Sequence, residues 1–245
     1  GIWCVPKYAN PTGIVYSDEV VDRLAKMETA ASDFRIWWDN AYAVHHLGSG
    51  VASLKNILAA CKDASNDNRV YMIGSTSKIS FAGAGISVLA SSQDNLAAIK
   101  SHMGKQTIGI DKVNLMRHVM YFKNFEGILA VMDKHAEIIK PKFDAIQDIF
   151  SKELSDKGVA EWTNPTGGYF VSVNLLDGCA SETVKLAAEA GVKLTKAGAT
   201  YPYGKDPKDH NIRIAPTLPP LDEVKTAMEV VAVCIQLASV KKLLG

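Results

Sequence analysis

The sequence predicts an α/β protein: a three-layer, mostly parallel sheet over residues 1–111, followed by a smaller α+β domain over residues 112–245. Three observations predict it. Short apolar runs alternate with amphipathic helical patterns through the first part, which is how a parallel sheet covered on both faces reads. Near Lys112 that alternation gives way to sustained helical periodicity. Beyond it, isolated strands return among helices.

In chain order, strand-like runs stand at Ile2–Val5, Phe34–Trp38, Val70–Ile73 and Ile86–Ala90. The first, apolar throughout and closed by Pro6, reads as a strand buried on both faces. Since the chain opens on Gly1 and enters such a strand at once, the expectation is a fragment of a longer protein, inactive and poorly folded alone. Between the strands, Val20, Val21, Leu24 and Met27 share one helical face behind Ser17, a candidate N-cap with Asp18 and Glu19 in the first turn. Further helices are expected over about 51–64 and 94–103. From Lys112 to Glu153 the period is helical, and Pro141 should end or kink the helix, giving two or three helices or one bent one. A strand at Tyr169–Leu175, a helix at Glu182–Ala190 and a strand at Ile212–Ala215 follow. The last helix begins at Pro219-Pro220 and buries Val224, Met228, Val231 and Ile235.

Composition narrows the function classes. Of 245 residues, 47% are hydrophobic and 22% charged, enough to bury a sizeable core. A formal net charge of +1 leaves no electrostatic footprint for nucleic acid. No apolar run approaches the roughly 18 residues of a membrane span, and no secretory leader is evident. Cys4, Cys61, Cys179 and Cys234 are scattered without CxxC spacing. They read as reduced, packed thiols with no metal site, which points to the cytoplasm.

Four clusters carry chemistry. Asn10-Pro11-Thr12-Gly13 follows the first strand and is, alone, ordinary turn chemistry. Asp39-Asn40-Ala41-Tyr42 ends the second strand, where ligands of open α/β sheets bind, though a loop aspartate beside a half-buried tyrosine reads the same way. Ser75-Thr76-Ser77-Lys78 ends the third strand, with Gly83 and Gly85 close behind. A lysine amine can condense with an aldehyde, and hydroxyls beside bare backbone N–H groups suit a phosphate. A surface lysine in a polar turn is the plainer reading. Arg213 stands inside the apolar run Ile212–Ala215 and needs an anionic partner, either internal or a ligand carboxylate matching its planar fork.

Together, N-P-T-G, D-x-A-Y, S-x-S-K and R-I-A-P occur in the order they take in class I/II aminotransferases, and the whole chain resembles that family. The resemblance is to the C-terminal part of the fold type I pyridoxal-phosphate enzymes, closest to aspartate-aminotransferase-like members with "SKI…AGAG". It implies a homodimer that binds pyridoxal 5'-phosphate and moves an amino group from an amino acid, perhaps aspartate, to a 2-oxo acid. It assigns Lys78 to the cofactor's aldehyde and to proton transfer, and Asp39 to the pyridinium nitrogen. Tyr42 and Asn10 fall to the phenolic oxygen, Ser75 and Ser77 to the phosphate. Arg213, with Asn10 and Gly168 nearby, falls to the substrate. One departure is clear: Ile86 stands where many members carry a phosphate-neutralising arginine. The resemblance leaves room for another pyridoxal-phosphate reaction, such as C–S lysis or decarboxylation, or for the sensor domain of a transcription regulator. His45 and His46, beside Tyr42, could reach a substrate or serve structure alone.

Overall fold

The computed structural model describes residues 1–48 and 50–245. They form two compact units: Gly1–Ala9, Ile14–His46 and Gly50–Lys134 make the first, and Asn10–Gly13, 47–48 and His135–Gly245 the second.

In the first unit, β1 (Ile2–Cys4), β2 (Ile36–Asp39), β3 (Val70–Ser75) and β4 (Ser87–Ala90) form one sheet in that order. β1 and β2 pair in parallel, as do β2 and β3, whereas β4 runs antiparallel to β3. Parallel neighbours need crossovers, and α1 (Asp18–Lys26) and α2 (Ile57–Asp63) supply them. The Ser17 hydroxyl accepts from the Val20 N–H and starts α1, with Asp18 and Glu19 in its first turn as expected. α2 begins later than its apolar pattern, because the Asn56 side chain accepts from the N–H groups of Leu58 and Ala59 and sets the cap there.

Strand alternation then sorts the side chains. Cys4, Ile36, Trp38 and Val70 face a core closed by Val21, Ala25, Ile57, Ala60 and Cys61 of α1 and α2. Each large apolar group buried there contributes about 1.5–3 kcal/mol. The opposite face carries Trp3, Trp37 and Tyr71 in register, with ring centroids 5.8 and 4.7 Å apart. Trp3 is 58% exposed and Ile2 is 40% exposed, so β1 is not a doubly buried strand. It is an edge strand of this sheet, and a continuous apolar run cannot reveal that its partner side chains stack along the sheet.

α3 (Gln93–Gln106) and α4 (Lys112–Phe122) complete this unit with the start of α5 (Phe125–Leu154), to Lys134. The helical stretch breaks at Lys123, in the left-handed region at φ 64, not at Pro141. Asn124 accepts from the Gly127 N–H and starts α5. A Cβ at Gly127 would stand 1.8 Å from the Phe122 carbonyl oxygen, so only glycine fits that close approach. α5 runs through Pro141 because Phe143, Ile146, Phe150 and Leu154, at helical spacing, bury in the second unit's core. Their burial outweighs the roughly 3 kcal/mol that an interior proline costs.

The second unit's sheet is antiparallel, ordered β5 (Ala160–Trp162), β6 (Val171–Leu175), β7 (Asn211–Ile214). Val171, Val173, Ile212 and Ile214 meet α5, α6 (Ala180–Glu189) and α7 (Leu221–Leu244), whose Val224, Met228, Val231 and Ile235 are buried as expected. β5 is too short and too weakly patterned to stand out in the sequence.

Candidate functional site

Within the first unit, the ends of β2 and β3 gather five of the sequence-predicted residues. Asp39 closes β2 on the face opposite Ile36 and Trp38, and the Trp3 indole N–H donates to its Oδ2 over 3.3 Å. Tyr42, buried at 4%, lies in the turn that follows, and the Lys78 ammonium sits 5.0 Å from its ring centroid. Ser75 ends β3, its hydroxyl 2.7 Å from that of Ser77 and accepting the Ser77 N–H over 3.0 Å. Asp39, Ser75, Ser77 and Lys78 line one cavity of about 450 Å³, together with Ser87. Its volume suits a small-molecule ligand. The donor set is a carboxylate, an amine and three hydroxyls, which fits an aldehyde cofactor with a basic ring nitrogen and a phosphate. Lys78 is the only cation among the described residues lining it. Ile86 contributes its backbone instead: its carbonyl accepts from the Thr76 N–H and its N–H donates to the Thr76 hydroxyl.

Both histidines of the His45-His46 pair serve the scaffold. His45, 3% exposed, donates through Nε2 to the Lys78 carbonyl over 3.2 Å. Nδ1 of His46 stands 2.7 Å from the hydroxyl of the fully buried Tyr8. Burial, and then the charge of Lys7, hold the His46 pKa down, with Asp133 opposing.

Within the second unit, Asn10 and Arg213 come together although 203 positions separate them: Nη1 donates to the Asn10 Oδ1 over 3.0 Å. Nη2 reaches the Thr195 hydroxyl at 3.4 Å, and the guanidinium carbon lies 4.5 Å from the Phe170 ring centroid. Among the described residues, Arg213 Nε is buried with no hydrogen-bond partner and no carboxylate pairs with Arg213. A cavity of about 610 Å³ borders Arg213, Thr195 and Thr226. The internal ion pair that the sequence left open is therefore absent from the described residues. Gly168, buried at φ +82, precedes Phe170 and allows the turn into β6. Thr195 carries no motif, so sequence reasoning had no signal for it; Phe170 and Ser87 stand beside the Gly167-Gly168 pair and the Gly83–Gly85 loop, with nothing in the sequence to give them a role.

Comparisons with known proteins identify the family. The aspartate amino-transferase family matches residues 1–245. A protein of Mycolicibacterium smegmatis named as an aminotransferase is 49% identical over 245 residues, covering 100% of this chain and 57% of its own length. An aspartate aminotransferase of Corynebacterium glutamicum is 46% identical over 239 residues, covering 98% of this chain and 55% of its own length. The crystal structure of an aspartate transaminase from Corynebacterium glutamicum superposes with a TM-score of 0.96 at 45% identity, over 98% of this chain and 57% of that one. The chain thus spans a little over half the length of the curated relatives it matches. With a matching fold, ordered motifs and a family match over every residue, the chain belongs to the aspartate amino-transferase family.

Proposed function

We propose that the protein is a pyridoxal-phosphate-dependent aminotransferase, taking the amino group of an amino acid, aspartate in the first instance, to a 2-oxo acid. The observation that carries this reading is the cavity at the ends of β2 and β3, where Lys78 shares the lining with Asp39, Ser75 and Ser77. Residues 1–111 are assigned to the large cofactor-binding domain and 112–245 to the interdomain helices and small domain. A homodimer is the assembly the family resemblance implies, and the four scattered cysteines point to the cytoplasm.

When bound, pyridoxal phosphate supplies an electron sink for charge arising at the substrate's α-carbon. Lys78 would hold it through its amine, and that amine is the group placed to carry a proton at the substrate's α-carbon. Asp39 keeps the ring nitrogen protonated by offering it a fixed negative charge. Tyr42 and Asn10 take the phenolic oxygen by hydrogen bonds, and Ser75 and Ser77 take the phosphate. Arg213 takes the substrate α-carboxylate, since its guanidinium is oriented by Asn10 and Thr195 but not neutralised among the described residues. A bidentate pair of this kind fixes orientation as well as affinity. Gly168 is assigned to the substrate side.

Borohydride reduction of the intact protein with its cofactor, followed by peptide mapping, should leave the pyridoxyl label on Lys78. A label on another lysine, or none, would overturn the assignment.

A further inference from the structure

We propose that His118 is a positioning residue for Lys78, acting through the loop that carries the lysine. This rests on the reading of Lys78 as the cofactor-holding residue. His118 belongs to α4 and is 5% exposed. Its Nδ1 lies 2.9 Å from the Asn114 carbonyl, which can only accept, so Nδ1 carries the proton. Nε2 is then an acceptor. It stands 2.7 Å from the Ser80 hydroxyl and 3.1 Å from the Thr76 hydroxyl, one on each side of Lys78; its single lone pair takes one of these protons at a time, and Ser80 Oγ also reaches the Thr76 carbonyl at 3.1 Å, which ties the two hydroxyl residues together.

The contact closes a larger brace. Thr76 accepts from the Ile86 N–H over 2.8 Å and donates its own N–H to the Ile86 carbonyl over 2.9 Å, so both ends of the glycine-containing loop meet at Thr76. The Asn114 amide donates to the Ala84 carbonyl over 2.8 Å, so the helix turn that orients His118 also holds the loop's far side. Phe81 packs edge-on against the imidazole at 6.3 Å, with Phe122 at 6.0 Å. Lys78 itself is exposed, so its backbone direction is set by this loop and by the His45 bond to its carbonyl. One imidazole set against the hydroxyls two residues before and two after a lysine fixes that lysine's turn without touching its amine.

The test compares His118→Phe with His118→Gln in the intact protein. Phenylalanine keeps the packing against Phe81 and Phe122 but has no acceptor; glutamine returns a polar group near the place of Nε2. Loss of this shared acceptor corresponds to about tenfold in a local equilibrium. Amide exchange over residues 76–86 should therefore quicken about tenfold in His118→Phe and return toward the original rate in His118→Gln. The rate at which stripped protein takes a borohydride-fixed pyridoxyl label on Lys78 should fall about tenfold and be restored in the same order. Unchanged loop exchange or labelling in His118→Phe would overturn the proposal, as would faster exchange throughout the first unit. Failure of glutamine to restore either rate would overturn it too. If the unaltered protein takes no label on Lys78 while its loop exchange still responds to His118, the cofactor reading has failed, and with it the positioning role.

Discussion

The Arg213 guanidinium donates to the Asn10 Oδ1 over 3.0 Å, joining two motifs from opposite ends of the chain. The bond uses the oxygen of the Asn10 amide and leaves its N–H groups to donate to an acceptor. It also aims a guanidinium whose Nε is buried without a hydrogen-bond partner among the described residues. An unpaired buried donor is costly, and a carboxylate ligand would offset that cost.

Arg213→Lys should weaken amino-acid binding by about tenfold or more, because a single ammonium cannot reproduce the planar fork. Affinity for pyridoxal phosphate should change little. Paired titrations of one variant, with amino acid and with cofactor, check this; equal loss of both would assign Arg213 to structure.

Asp39→Ala should bind cofactor weakly and slow turnover by about a hundredfold or more, the scale of losing one preorganised electrostatic partner. Asp39→Glu should retain more activity. Near-normal turnover in Asp39→Ala would reduce the aspartate to a loop residue held by Trp3.

At Gly85, an added Cβ would stand 2.1 Å from the Ser77 hydroxyl oxygen and 2.8 Å from the Ser77 Cα and N. The backbone must yield, so Gly85→Ala should cost about 1–3 kcal/mol. Thermal melting, shifted by about 2–4 °C per kcal/mol, and reduced labelling of Lys78 would register it. Neither effect would appear if the loop moves freely.

Alkali should destabilise the first unit before it ionises the folded core. Burial, opposed by Arg69, pushes the Cys61 thiol up from 9.0 to about 11. Burial, with Cys4 beside it, pushes Tyr16 up from 10.0 to about 12. Both groups are neutral when protonated, so above their unfolded values the unfolded chain loses protons that the folded one keeps. Stability from this source is complete below about pH 9 and falls as pH rises toward 11 and 12. Urea melts of the intact protein at pH 8 and pH 10 should show a lower midpoint at pH 10, and Cys61→Ala should reduce that pH dependence.

Several features were legible in the sequence because they depend on neighbours along the chain. The Ser17 cap, the strands that lead up to Asp39 and Ser75, the helical period of α7 and the order of the four motifs follow from local periodicity and turn chemistry. Family membership was legible for the same reason, since it rests on short motifs in sequence. Tertiary packing decided the rest. Pro141 stays inside α5 because its neighbours bury in a core that no local window contains. Whether Arg213 meets an internal carboxylate or Asn10 depends on pairings across 203 positions. His118 looks like any helical histidine until the fold sets Thr76 and Ser80 against its ring. A side chain's partner is chosen by the shape that the whole chain buries, and that choice leaves no period in the residues on either side.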